Sequence, residues 1–159
     1  MTEEQNKPKP EHLFAGLVRL GETPLIIAGM AGITFKIFHL PAANLLLILS
    51  LATLAMFYLF GAMAPGDENI PQIDKMVAKF NGIGSSIAAI GILFLLLRWP
   101  GSSVMVMMSS GTLLATGFYM ISANGKATEL KPFTSKNIYR SLGIAVLEIL
   151  LFLIPQYHH

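Results

Sequence analysis

The chain contains no cysteine. Disulfides, thiolate nucleophiles, Cys-ligated zinc and iron–sulfur clusters are therefore excluded. Charge is scarce as well. Asp, Glu, Lys and Arg make up 13% of the 159 residues, about half the share of an ordinary soluble domain. The formal net charge of +2 is too small to imply a nucleic-acid partner. No nucleophile–base pair, phosphate-binding loop or pair of carboxylates occurs, so the sequence offers no catalytic residue, cofactor site or metal site and does not read as an enzyme.

What is abundant is apolar. Hydrophobic residues form 53% of the chain, and the mean hydropathy is +0.62. One membrane-embedded domain is the economical reading. Five apolar segments stand out, at 24–40, 42–63, 82–99, 101–123 and 138–155. The shorter ones, at 1.5 Å of rise per residue, give roughly 26 Å of helix, just enough to span a bilayer.

Two of these stretches repeat. Gly32 to Pro41 aligns with Gly91 to Pro100 at a constant offset of 59, and the register continues through Ser50/Ser109, Thr53/Thr112 and Leu54/Leu113. Each copy is an apolar run, a His or Arg, a Pro, and a second apolar run. Proline cannot comfortably continue the preceding helix and suits the start of the next, so each copy predicts a helical hairpin with a very short turn. The fifth segment predicts a truncated third half-repeat: Tyr139-Arg140 leads an apolar run that ends at Pro155.

The expected fold is thus an all-α membrane protein with five transmembrane helices, arranged as two tandem hairpins plus one. Short amphipathic helices at the interface precede the hairpins. Leu13, Phe14, Leu17 and Leu20 mark the first, with Thr23-Pro24 as the start of the following span. Ile70, Ile73, Val77 and Phe80 mark the second, between Pro65 and Asn81. The organisation reads as a disordered 1–11, an amphipathic helix and first hairpin at 12–64, an interfacial helix and second hairpin at 65–126, and a loop with the fifth helix at 127–159. Met1 to Glu11 is polar and acidic, which argues against a cleaved signal peptide.

Lys and Arg placement predicts orientation. Lys7, Lys9, Arg19, Lys75, Lys79, Lys126, Lys131, Lys136 and Arg140 fall on one side, and Lys36 and Arg98 on the other. The expected orientation has the N-terminus cytoplasmic and the C-terminus outside. A four-span alternative, with the last segment lying flat, returns the C-terminus to the inside.

Glu148 is the most costly residue in this arrangement, because an ionised side chain at membrane depth costs several kcal/mol unless it is paired or wet. Lys36 falls at a similar depth in the first span. Three readings stand: an interhelical Glu148–Lys36 ion pair, a snorkelling Lys36 with a protonated Glu148, or a proton- or cation-handling role. His39, Pro41, Arg98, Trp99 and Pro100 sit at the hairpin turns, as interfacial anchors. A metal site from His39, His158 and His159 lacks the supporting spacing. Met105, Met107, Met108 and Met120 read as core filling rather than a metal relay. Ala28/Gly32, Gly84/Ala88, Gly111/Ala115 and Ser141/Ala145 are small-residue pairs suited to close helix contact, within the chain or with membrane-protein partners or a second copy.

The segment Ile33-Thr34-Phe35-Lys36-Ile37-Phe38-His39-Leu40-Pro41-Ala42-Ala43 resembles the "FKI-x-H-W-P-G-A" hairpin of the gliding-motility protein GldL and related Bacteroidota membrane proteins. The likeness covers about a dozen residues, and Arg98-Trp99-Pro100-Gly101 echoes its turn. The resemblance implies a hairpin unit in a bacterial inner membrane, so that the C-terminus expected outside is periplasmic. In GldL that unit belongs to a proton-driven motor for secretion and gliding. Lys36, His39 and Pro41 match the motif, whereas residues 42–63 hold no acid, so the family's second-helix glutamate has no counterpart. The expected function is a small non-enzymatic integral membrane subunit of a larger inner-membrane complex, and the resemblance implies one related to secretion or motility. The alternative is a small proton- or ion-coupled transporter or channel using Glu148 and Lys36.

Overall fold

A computed structural model describes residues 10–63, 71–126 and 135–154. They form five helices: α1 (Pro10–Ile37), α2 (Ala43–Met63), α3 (Gln72–Leu97), α4 (Ser102–Lys126) and α5 (Ser135–Leu153). No strand occurs among the described residues. α3 is the centre of the bundle and packs against α2, α4 and α5, while α1 packs on α2.

The two hairpin turns are copies of each other, bond for bond. His39 N–H donates to the Lys36 carbonyl and Leu40 N–H to the Phe35 carbonyl. At an offset of 59, Arg98 N–H donates to Leu95 and Trp99 N–H to Phe94. This is the Schellman pattern of helix ending, which needs a left-handed residue just past the helix. His39 (φ 54°) and Arg98 (φ 58°) occupy that position. A second left-handed residue follows each proline: Ala42 at φ 67° and Gly101 at φ 88°. Pro41 and Pro100 both lie in the turns.

Two expected breaks are absent. α1 runs through Thr23-Pro24 without starting afresh. Proline inside a helix removes one backbone bond, but Glu22 and Leu25 on either side are both tied into the bundle and carry the helix across. Likewise, the amphipathic stretch ending at Asn81 is the first part of α3 rather than a separate helix. Its polarity changes at Asn81, yet the helical period continues and no breaker intervenes. Residues 65–70 of that expected element lie outside the described residues.

The expectation of five spans is also reduced. Among the described residues, three helices are long and apolar enough to cross a membrane: α2, α3 and α4. α5 carries Lys136, Arg140 and Glu148 within 19 residues, and α1 carries Glu22 and Lys36. α5 nevertheless lies along α4 in the opposite direction. Ile138 packs by Met120, Ala145 by Leu113, and Glu148 by Ser109. The outer faces display Ile27, Phe38, Leu45, Met107 and Phe118 to the surroundings, a surface suited to lipid.

Three of the four small-residue pairs are used inside the chain. A Cβ on Gly32 would come within 2.9 Å of Leu47, and one on Gly84 within 3.1 Å of Thr112. Ser141 and Ala145 are fully buried. The fourth pair differs. A Cβ on Gly111 would meet nothing within 4 Å, and Ala115, one turn on, is exposed.

Candidate functional site

α1 and α5 meet through an ionic cluster. Lys136 Nζ donates to Glu22 Oε2 at 2.9 Å, and Arg140 Nη1 donates to Glu22 Oε1 at 3.2 Å. Tyr58 of α2 donates its hydroxyl to the same Oε1 at 3.2 Å. The Arg140 guanidinium lies 4.9 Å above the Tyr58 ring, a cation–π contact. Among the described residues, Arg140 Nε is buried without a hydrogen-bond partner. Glu22 itself is almost fully buried. Burial alone would raise its pKa, but the hydrogen bonds and charges of Lys136 and Arg140 outweigh that and hold the carboxyl below its ordinary value.

The cluster closes one end of an interhelical cleft. The cavity measures about 500 Å³ and is walled by α1, α2, α3 and α5, with Met30, Ile33, Leu54, Ala89, Ile144 and Leu147 among its apolar residues. Away from the ionic end the walls are almost wholly apolar.

A second polar centre lies between α3, α4 and α5. Glu148 is fully buried. Ser109 Oγ lies 2.7 Å from Glu148 Oε1 and also 2.7 Å from the Met105 carbonyl. Serine has one proton for these two acceptors. Both contacts become hydrogen bonds when the carboxyl is neutral: Glu148 donates to Ser109, and Ser109 donates to Met105. Gly91 on α3 makes the room, since a Cβ there would stand 3.2 Å from Glu148 Oε1. About two to three turns along, Asn81 Oδ1 accepts from Ser141 at 2.7 Å and from Thr116 at 3.1 Å. This joins the same three helices again.

The expected Glu148–Lys36 ion pair is not formed. Lys36 Nζ donates instead to Asn44 Oδ1 at 2.7 Å, across the first hairpin turn. The reason is topological: α1 packs on α2, whereas the Glu148 end of α5 packs on α3 and α4. Equal depth therefore does not bring the two residues together. His39, Pro41, Arg98, Trp99 and Pro100 are exposed at the two turns. Trp99 meets Phe94 edge-on, with ring centroids 5.0 Å apart. Met107 and Met108 point outward while Met120 is in the core, so the methionines do not converge. Among the described residues no group of three His, Asp or Glu could hold a metal ion. His158 and His159 lie outside the described residues.

Sequence reasoning missed Glu22, Tyr58, Asn81, Ser109 and the pairing role of Arg140. One signal was available. Glu22, Asn81 and Arg140 stand 59 residues apart in succession, on α1, α3 and α5. That spacing equals the offset between the two hairpins. No family model, curated protein or solved structure matches the chain.

Proposed function

We propose that the chain is a small, non-enzymatic integral membrane subunit of a larger complex in a bacterial inner membrane. The observation that carries this reading is the Gly111/Ala115 face of α4. It is the one small-residue pair of the four left open, and such faces let a second helix approach closely in lipid. The antiparallel alignment of α5 with α4 supports a five-span topology despite the charges in α5. The bias of Lys and Arg supports a cytoplasmic N-terminus and a periplasmic C-terminus. The hairpin likeness to GldL favours a secretion or motility assembly.

The experiment is purification in mild detergent of the tagged chain and of Gly111→Leu. The expected result is a stoichiometric hetero-complex for the native chain that dissociates in the variant, with unchanged helix content. A native chain that runs alone refutes the subunit reading. A second reading, a small proton-coupled transporter, rests on the buried acid Glu148 and no longer includes Lys36. Proton flux into vesicles containing the chain alone, abolished by Glu148→Gln, would favour it.

A further inference from the structure

The cleft between α1 and α5 has a polar end and an apolar body, and that asymmetry selects a class of occupant. At the polar end two cations, Lys136 and Arg140, face one carboxylate, Glu22, leaving one positive charge in excess among the described residues. Lys136 is half exposed and Arg140 is partly exposed, so both cations can be reached by an anion. From Glu22 to Ile33 on α1, and from Lys136 to Leu147 on α5, the walls extend 11 residues. That is about 16 Å of helix. It corresponds to the depth of one leaflet, half of a hydrocarbon core of about 30 Å. The volume of about 500 Å³ lies in the range of small-molecule sites. It is too small for a transmembrane helix about 10 Å across, of which it would hold only about a turn.

We propose that this cleft is a lipid-binding site that seats one acyl chain of an anionic phospholipid, with its phosphate at Lys136 and Arg140. The lipid comes from the leaflet on the Lys- and Arg-rich side, because the ionic cluster lies at that end of α1 and α5. Gly143 lines the cleft, and a Cβ placed there meets nothing within 4 Å, so the chain of the lipid can lie against bare backbone. This cleft lies on the α1/α5 side of the bundle, apart from the α4 face at Gly111 and Ala115.

The test uses the purified full-length chain in detergent micelles, incubated with phosphatidylglycerol or phosphatidylcholine of identical acyl chains. Bound lipid is counted by native mass spectrometry. The native chain should retain one phosphatidylglycerol, preferred over phosphatidylcholine by roughly tenfold, the worth of one charge-assisted hydrogen bond. Gly143→Leu fills the cleft and leaves every charge in place. It should lose the bound lipid while its thermal unfolding is unchanged or raised, which separates occupancy from misfolding. Lys136→Gln should keep lipid but lose most of the headgroup preference. Equal retention of both lipids by the native chain overturns the proposal. So does a Gly143→Leu variant that binds as the native chain does. A photo-crosslinker at position 143 that captures a polypeptide in membranes, rather than lipid, overturns it too.

Discussion

Neutralising Glu22 tests whether the ionic cluster holds α1 to α5. Three donors converge on this carboxylate, and they are not equal. Lys136 is 53% exposed, so its bridge is screened and contributes about 0.5 kcal/mol. Arg140 is 21% exposed, and its charge-assisted bond, discounted for that partial exposure, contributes about 1–2 kcal/mol. The Tyr58 hydrogen bond adds about 1 kcal/mol. Glu22→Ala should therefore cost about 3 kcal/mol. Glu22→Gln keeps an acceptor for Tyr58 and should cost about 2 kcal/mol. The measurement is unfolding in detergent micelles at neutral pH, with Lys136→Met and Arg140→Met completing double-mutant cycles. Coupling of Glu22 to Arg140 should exceed its coupling to Lys136. The pH dependence follows from the lowered folded-state pKa. The contribution is fully present above the ordinary value of 4.5 and is lost as pH falls through the folded-state value. Native and Glu22→Gln curves should then differ at neutral pH and converge in acid. A Glu22→Gln variant as stable as the native chain at pH 7, or a larger coupling to Lys136, would refute the reasoning.

Glu148→Gln should stay within about 1 kcal/mol of the native chain, because a neutral amide of the same shape can still reach Ser109. Glu148→Ala, which also leaves a cavity, should cost about 2–4 kcal/mol in the same unfolding assay. Lys36→Met should cost less than about 1 kcal/mol, and combining it with Glu148→Gln should be additive, since the two share no partner. A non-additive double variant would restore the ion pair that the structure replaces. Gly82→Ala should destabilise by about 1–3 kcal/mol, because its Cβ would come within 2.7 Å of Ala62 Cβ and 3.2 Å of Ala62 Cα, forcing α2 and α3 apart. Ala42→Gly should stabilise by up to about 1 kcal/mol, as glycine relieves the left-handed strain at a position where the second repeat already has Gly101.

The sequence by itself determined the all-helical class, the two turns and their equivalence. Those features are local: apolar runs long enough to be buried, a proline that cannot extend the preceding helix, and a repeat of 59 that copies the turn. Sequence went astray where a local signal met tertiary support. Thr23-Pro24 reads as a helix start, yet Glu22 and Leu25 are anchored on both sides and α1 passes through. The pairing of polar side chains was decided by the tertiary structure alone. Depth in a membrane can be counted from a proline, but the direction in which a side chain points depends on helix rotation and on which helices are neighbours. Glu148 finds Ser109 because α5 lies along α4. Lys36 finds Asn44 because the hairpin folds back beside it. Glu22, a charge that sequence alone would assign to solvent, becomes the buried acceptor of Arg140, Lys136 and Tyr58 because α1 and α5 converge at that level of the bundle.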